Sequence, residues 1–209
     1  MLLRYLKSYI CNSVAELRVI KIFFNDFSLS VWGEIVNLLK NRDIHNYVDL
    51  GLSVMWASCN LGANSPLDTG LCFQWGEPFQ NSQIDETIYY KQAWMERNSV
   101  DIANSRFDAA YMIWGGYWHL PNIKECDELL NKCIWETINI DDKVMGYKIT
   151  GPNGNNILLP INSSRYYLTS MRGSTYPFIH ALYIDSSKHY IAKPFECDMA
   201  SIRPVFGDD

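Results

Sequence analysis

The sequence has no run of about 18 consecutive apolar residues, which is the length that a membrane-spanning helix needs. Its most hydrophobic segment lies at the N-terminus, where charged side chains interrupt it at five positions. These are Arg4, Lys7, Glu16, Arg18 and Lys21. The same segment has no small-x-small cleavage site of the kind that follows a secretory signal. We therefore predict no membrane-spanning segment and no signal peptide within the chain, and the compartment stays open.

Cysteine pairs and clustered basic residues are also missing. None of the six cysteines belongs to a Cys-x-x-Cys pair. Cys126 and Cys133 lie about 10 Å apart on one predicted helix, too far to be bridged. Residues 1–46 carry six Lys or Arg against four Asp or Glu, and residues 47–209 carry twelve against nineteen, so the total of −5 divides into +2 and −7. This balance predicts no nucleic-acid partner, because such a partner requires a clustered basic face.

Motifs for several kinds of catalysis are absent from the sequence. It contains no Gly-rich phosphate loop, no Gly-x-Ser-x-Gly elbow and no His-Glu-x-x-His helix. The four histidines show no metal-ligand spacing. The acidic pairs at 141–142 and 208–209 are better explained as a solvated loop and a solvated terminus. We therefore predict neither a cofactor nor a metal site.

The first 46 residues have the pattern of two amphipathic helices. Apolar side chains recur at close to helical spacing, and the pattern breaks once, at Asn25-Asp26. The residues of the two stripes are Leu3, Leu6, Ile10, Val14, Leu17, Ile20 and Phe24, followed by Val31, Trp32, Ile35, Leu38 and Leu39. Two interpretations stay open. The helices pack on the main domain, or they dock onto a partner or onto a second copy of the chain in a homo-oligomer.

From Tyr47 onward, short apolar runs are punctuated by Gly, Asn and Pro, and six of the seven tryptophans fall between Trp56 and Trp135. This texture is typical of a loop-rich α+β domain, which we place at 47–209. Asn122 and Glu125 form the pattern of a capping box that opens a helix. The other predicted elements are a helix over 100–111, hairpins over 146–160 and 181–192, and a last strand over 200–205. The first hairpin turns at Gly-Pro-Asn-Gly, where Asn-Gly supports the positive φ of a tight turn.

Several sequence blocks follow one another in this part of the chain. In order, they are 47–63 (YVDLGLSVMWASCNLGA), 73–77 (FQWGE), 108–110 (DAA), 114–118 (WGGYW), 146–154 (GYKITGPNG) and 201–205 (SIRPV). Together they resemble the Fibrobacter succinogenes major paralogous domain, a family abundant in gut Bacteroidales. The resemblance covers about 47–206. The family is similar to the C-type-lectin-like fold of formylglycine-generating enzymes.

This resemblance implies an α+β domain with an antiparallel sheet, two helices, paired N- and C-terminal strands and a loop-rich ligand face. It also implies display at the cell surface or secretion. Its aromatic and glycine blocks combine large rings with backbone that can approach closely, which pins loops onto a core. The residues to which we assign this structural role are Trp56, Trp75, Trp114, Gly115, Gly116, Trp118, Trp135 and Arg203. The alternatives are that a tryptophan stacks on a sugar ring and that Arg203 contacts a ligand.

Departures from the family pattern bear on function. His119 stands where the family usually has an arginine, and we predict a buried, hydrogen-bonded role for it. Cys197 has no second cysteine five residues away, whereas formylglycine-type oxidation uses such a pair to hold copper. The calcium elements of sugar-binding lectins are missing, since Phe79 follows Glu77-Pro78. Residues 163–209 contain no asparagine. Receptors whose genes are diversified by mutation at adenines tend to keep Asn, Tyr and Ser codons in this region, so this chain does not resemble such a receptor. The sequence therefore predicts a protein that is not an enzyme and needs no calcium.

In the related folds, the recognition surface comes from the C-terminal hairpins, so we expect ligand contacts from polar aromatic and charged residues there. The candidates are Tyr167, Arg172, Tyr176, His180, Tyr183, Asp185, His189 and Tyr190. That these residues merely cover an exposed sheet stays open. We expect a non-enzymatic module that binds a glycan or a protein. The alternatives are an interaction subunit that docks through its N-terminal helices, and a catalytically dead relic of a formylglycine-generating enzyme.

Overall fold

A computed structural model describes residues 45–77, 101–175 and 177–207. Within these ranges the chain is mixed α+β, with mostly antiparallel sheets and two helices. The elements are β1 (Tyr47–Val48), β2 (Met55–Ala57), β3 (Cys72–Phe73), α1 (Ala109–Trp114), β4 (Trp118–His119), α2 (Ile123–Lys132), β5 (Ile134–Ile140), β6 (Lys143–Thr150), β7 (Asn156–Pro160), β8 (Tyr166–Arg172), β9 (Ile179–Ile184), β10 (His189–Ala192), β11 (Ala200–Ser201) and β12 (Val205–Phe206). The predicted N-terminal helices fall in residues 1–44, outside the described ranges.

Three sheets organise these strands. Their orders are β10-β9-β8-β11-β3, β1-β2-β12-β4 and β5-β6-β7, and β11 with β8 is the parallel pair among the described strands. In the four-stranded sheet β12 pairs with β2, and Val205 lies opposite Trp56. The beginning and the end of the described domain therefore meet in one sheet.

The five-stranded sheet lies between two hydrophobic cores. Neighbours along a strand point to opposite faces, and on β8 Tyr167 belongs to one core while Leu168 belongs to the other. The first core contains Leu50, Val54, Trp56, Cys126, Leu129, Tyr147, Ile149, Ile157, Leu159, Tyr167, Leu182, Ile184 and Val205. The second core contains Leu61, Phe73, Trp75, Ile102, Phe107, Ala109, Ala110, Leu120, Leu168, Ile179, Ala200 and Ile202. Each large side chain so buried stabilises the fold by about 1.5–3 kcal/mol.

Elements predicted from local signals are confirmed. Asn122 accepts the backbone N–H of Glu125, and the Glu125 carboxylate accepts the N–H of Asn122, which completes the capping box of α2. The predicted hairpins form as β6 with β7 and as β9 with β10. In the first of them Gly154 has a φ of 88°, the left-handed conformation that its turn requires. Neither described helix is long and apolar enough to cross a membrane.

Two predicted elements are wrong in extent. The helix predicted over 100–111 begins only at Ala109, because the Asp108 side chain caps it by accepting from the N–H groups of Ala110 and Tyr111. Asn104 has a φ of 57°, which no residue inside an α-helix adopts. The strand predicted over 200–205 divides into β11 and β12, which join different sheets. Between them Pro204 has no N–H to donate to a ladder, and its carbonyl accepts from Ala57.

Candidate functional site

Three tyrosines form a row across neighbouring strands of the five-stranded sheet. Tyr183 on β9 lies directly opposite both Tyr166 on β8 and Tyr190 on β10. Directly opposed residues share one face of a sheet. The ring centroids of Tyr166 and Tyr183 are 5.4 Å apart, and those of Tyr183 and Tyr190 are 4.9 Å apart. We call Tyr166, Tyr183 and Tyr190 the tyrosine row.

The β9–β10 turn fixes two of these tyrosines, and Asp185 builds that turn. One carboxylate oxygen of Asp185 accepts the backbone N–H groups of Ser187 and Lys188 and the Ser187 hydroxyl. These bonds, chiefly that of the Ser187 N–H, hold the pKa of Asp185 well below its usual range. The Tyr183 hydroxyl donates to the other carboxylate oxygen at 2.9 Å. Asp185 therefore positions the central ring of the row.

Two cations border the tyrosine row. Arg165 has a left-handed backbone, with φ at 64°, and its Nη1 donates to the Tyr183 hydroxyl at 3.3 Å. The Lys188 ammonium lies 5.9 Å from the ring centroid of Tyr183 and 5.8 Å from that of Tyr190. These distances are within the range of cation–π attraction. Arg165 and Lys188 are both exposed, so their charged groups are accessible from solvent.

The outer tyrosines offer ring faces and hydroxyls. Tyr190 is 43% exposed, and Tyr166 packs partly against the second core. Burial is the main cause of the raised pKa of Tyr166, so its phenol stays protonated at neutral pH. Within the described ranges, no hydrogen bond joins the hydroxyl of Tyr166 or Tyr190 to another residue. The row can therefore present apolar ring faces together with phenol, guanidinium and ammonium groups.

Three of the other predicted ligand residues do not join the row. Tyr167 is 2% exposed; its hydroxyl donates to the Pro160 carbonyl and accepts from Asn60, so its side chain belongs to the interior. His189 stacks on Trp135 at 4.1 Å on the opposite face of β10. His180 lies on the face of β9 opposite Tyr183, with its Nδ1 3.2 Å from the carbonyl of Arg172. Tyr176 lies outside the described residues.

The tryptophans and glycines predicted to be structural occupy interior or turn positions. Trp56 and Trp75 are buried, and the Trp75 indole N–H donates to the Thr169 carbonyl at 3.0 Å. The half-buried Trp135 donates to the Leu129 carbonyl. Gly115 and Gly116 have φ values of 71° and 62°, which let the chain leave α1 and enter β4. The rings at the two ends of this turn, Trp114 and Trp118, then meet edge to face at 4.8 Å.

Arg203 is a buried cation that joins four segments of the domain. It is 1% exposed, and it donates to the Asn60 side chain at 2.8 Å and to the carbonyls of Ala57 at 2.9 Å and Leu158 at 2.8 Å. A longer contact of 3.5 Å reaches the Pro66 carbonyl. Burial lowers the pKa of the guanidinium to about 10, so it stays charged at neutral pH. These bonds make Arg203 a cross-link inside the domain.

His119 and Asp108 form a second buried polar pair. Asp108 accepts four backbone N–H groups, among them that of Leu120 at 3.0 Å. His119 is fully buried, and its Nδ1 lies 3.0 Å from the Leu120 carbonyl. Its Nε2 has no hydrogen-bond partner within the described part of the chain. The prediction for His119 is therefore confirmed for burial and wrong for complete hydrogen bonding.

The described residues include neither a disulfide nor a cluster of metal-ligating side chains. The five described cysteines are free thiols, and Cys197 is exposed. Across 45–77, 101–175 and 177–207, no three His, Cys, Asp or Glu side chains are grouped so that they could hold a metal ion.

No family model, curated protein or solved structure matches this chain. The resemblance to the major paralogous domain therefore rests on the sequence blocks alone. What the chain does must be inferred from its own surfaces.

Sequence reasoning missed three members of the site, Tyr166, Arg165 and Lys188. Tyr166 and Tyr167 are adjacent, and the strand period of two puts only one of them on the exposed face. Leu168 could have indicated which tyrosine it is. Leu168 is buried on the second-core face, so Tyr166, two residues earlier in the strand, lies on that same face. The pairing of Tyr166 with Tyr183 had no local signal, since register between distant strands is set by the whole sheet.

Proposed function

We propose that the chain is a non-enzymatic binding module of C-type-lectin-like fold that binds a saccharide across the tyrosine row. The fold part of this proposal is supported by the family-like sequence blocks, the pairing of β12 with β2, and an antiparallel framework with two described helices. A fold hosts many functions, so the function is argued from the site.

The tyrosine row is the observation that carries the proposal. Sugar rings have apolar C–H faces that stack on aromatic rings, and hydroxyl edges that exchange hydrogen bonds with polar groups. The row offers both, because Tyr190 exposes its ring while Arg165 and Lys188 stand at the border with N–H donors. The hairpin turn and the Tyr183–Asp185 bond hold the central ring in place before a ligand arrives. Such preorganisation reduces the entropy lost on binding.

The non-enzymatic part of the proposal is supported by the sequence around Cys197. A formylglycine-type oxidase needs a second cysteine nearby, and the positions five residues away are Ala192 and Ile202. A relic that kept the fold and lost the pair would have the same appearance. We therefore expect Cys197→Ala to bind every ligand as the unchanged protein does, and a loss of any activity in this variant would argue for an enzyme.

The test is a binding screen with the full chain on an array of plant, mucin and bacterial cell-wall oligosaccharides, followed by titration calorimetry of each positive. Tyr190→Ala should weaken the best saccharide by about two- to twelvefold, because a stacked ring contributes about 0.5–1.5 kcal/mol. Tyr117→Ala is the matched control, since Tyr117 is also an exposed tyrosine but lies beside another sheet.

Two results would overturn the proposal. One is that no saccharide on the array binds, while a protein ligand does bind at the tyrosine row. The other is a bound saccharide whose affinity is the same in Tyr190→Ala and Tyr117→Ala. Equal melting temperatures of the two variants show that a difference in affinity is local to the row.

A further inference from the structure

A second group of aromatic residues covers the outer side of the four-stranded sheet. Val48, Trp56 and Val205 point from this sheet into the first core, so the alternate residues point outward. We call the outward group the aromatic face. It consists of His45, Tyr47, Trp114, Tyr117, Trp118 and Phe206, and this group is distinct from the tyrosine row.

The rings of the aromatic face form one connected set. Tyr47 stacks on Phe206 at 4.9 Å, and Phe206 contacts Trp118 at 5.2 Å and Tyr117 at 5.8 Å. Trp114 joins through Trp118. The set contains no Asp, Glu, Lys or Arg. Tyr117 is nevertheless 57% exposed and Tyr47 is 43% exposed, so two large rings that both contact Phe206 meet solvent. Contiguous exposed apolar surface of this kind marks an interaction site.

The chain itself enters at this face. His45, the first described residue, stacks on Trp114 at 3.9 Å with an interplanar angle of 12°. The next residue, Asn46, accepts the backbone N–H of Ser58 at 2.9 Å, which ties the entry point to the end of β2. His45 therefore places the covalent link to the preceding residues at the aromatic face.

Residues 1–44 carry apolar side chains that need a cover. The two stripes defined above contribute twelve large apolar residues, and the last of them is Leu39. Five residues lie between Leu39 and His45, and a link of six Cα–Cα steps reaches at most about 21 Å. The second stripe is therefore tethered close to the aromatic face, whereas a partner in solution pays the full entropy of association.

The charges of the two parts are also complementary. Residues 1–46 carry +2 and residues 47–209 carry −7. Opposite net charge favours approach of the segment to the body of its own chain. We propose that the apolar stripe of residues 31–39 docks on the aromatic face of the same chain. This inference is independent of the saccharide proposal, because it uses another sheet and other residues.

Photo-crosslinking in the full chain tests the docking. Tyr117→p-benzoylphenylalanine places a photoreactive group on the aromatic face, and mass spectrometry of the irradiated monomer band identifies its neighbours. We expect crosslinks to residues 31–39 within one chain, with a yield that does not change over a tenfold range of protein concentration. Tyr190→p-benzoylphenylalanine is the matched control on the tyrosine row, and it should give no crosslink to that stripe.

Each other outcome decides against the proposal. Crosslinks found only in a dimer band, with a yield that rises with concentration, would assign the face to a second copy of the chain. Absence of crosslinks to 31–39 would show that this stripe does not dock on the aromatic face. As a second measurement, Tyr117→Lys should raise amide hydrogen exchange in 31–39 at least about fivefold while Tyr190→Lys leaves it unchanged, and equal exchange in the two variants would overturn the docking.

Discussion

The tyrosine row and the aromatic face are both made of rings opposed across short antiparallel strands, but they differ in what surrounds the rings. The tyrosine row is bordered by Arg165, Lys188 and Asp185, and each of its rings ends in a hydroxyl. The aromatic face combines two indole rings and a phenyl ring with two tyrosines and a histidine, and no Asp, Glu, Lys or Arg is among its six members. Rings with polar borders suit a small hydroxylated ligand, whereas rings without them suit apolar side chains.

The difference follows from where each group lies relative to the cores. The tyrosine row continues the second-core face of the five-stranded sheet toward β10, the edge strand, whereas Ala109 and Ala110 of α1 belong to the second core itself. A charged residue beside an edge strand also discourages pairing with another chain, and Lys188 has that position. The aromatic face lies on the outer side of the four-stranded sheet, and the inner side of that sheet packs against the first core. The rings of the aromatic face therefore form a layer that is separate from the first core.

Removal of Arg203 should cause the largest loss of stability, and this loss should affect both regions at once. Arg203→Met leaves the Asn60 side chain and the carbonyls of Ala57 and Leu158 without their buried donor. We expect the free energy of unfolding to fall by about 5 kcal/mol, because buried groups that lose a charged partner bear the full desolvation penalty. Urea unfolding measures the change. The exposed Arg165→Met is the control, with a much smaller expected loss, and similar losses in both variants would contradict the role of Arg203.

How far the sequence predicts these regions depends on the range of the interactions. The capping box at Asn122 and the Asn-Gly hairpin involve groups within a few residues, and both are confirmed. The start of α1 was missed although its cap is local, since one oxygen of Asp108 accepts from Ala110 and Tyr111. The sequence does not show that the other oxygen accepts from Leu120, twelve residues away, which anchors the cap to the fold. The sequence analysis did not predict that the four-stranded sheet is separate from the five-stranded sheet. No local pattern shows that the chain passes from one sheet to the other at Pro204.

The same limit applied to the candidate site. Tyr183, Asp185 and Tyr190 were identified because they flank a hairpin turn that is visible in the sequence. Tyr166 and Arg165 were not, because only the fold shows that they lie beside this hairpin, and Lys188 was missed although it lies in the turn. The sequence therefore supplies most of the hairpin part of the site, and the fold supplies the rest.

Comparison of two aromatic truncations sharpens the contrast in burial. Trp118 is 2% exposed and contacts Trp114 and Phe206, so Trp118→Ala should lower the free energy of unfolding by about 4 kcal/mol. Tyr190→Ala, at an edge strand and largely exposed, should lower it by less than about 1 kcal/mol. Chemical denaturation of both variants decides the point. A loss in Tyr190→Ala that equals the loss in Trp118→Ala would show that the tyrosine row is core rather than surface.

Acidification should affect two sites with opposite signs. Burial raises the pKa of Asp108 to about 6, against the effect of its backbone N–H bonds and of His119. The carboxyl of an unfolded chain titrates near pH 3.9, so the stabilisation from protonated Asp108 is complete below about pH 4 and is lost as the pH rises through 6. Asp185 has a lowered pKa, so its contribution is present above about pH 4 and is lost as the pH falls further.

Urea unfolding between pH 7 and pH 4 measures this difference. From pH 7 to pH 4 the unfolding free energy of the unchanged protein should gain up to about 3 kcal/mol relative to Asp108→Asn, which corresponds to two pKa units. Asp185→Asn should run parallel to the unchanged protein above about pH 4.5 and converge toward it only below pH 4. Parallel curves for the unchanged protein and Asp108→Asn would show that Asp108 titrates normally.

The smallest expected effect concerns the cation above the tyrosine row. Lys188→Gln removes an ammonium that lies about equally far from the rings of Tyr183 and Tyr190. An exposed cation–π contact contributes about 0.5–1 kcal/mol, so we expect a loss of that size in unfolding free energy. Lys148→Gln is the matched control, because Lys148 is an exposed strand lysine whose ion pair with Glu136 measures 3.4 Å and contributes little. The difference between the two variants should persist at 0.5 M salt, since the ring quadrupole is contacted at short range while the surface ion pair is screened. Equal losses in the two variants, or a Lys188 effect that disappears with salt, would show that Lys188 acts only as a surface charge.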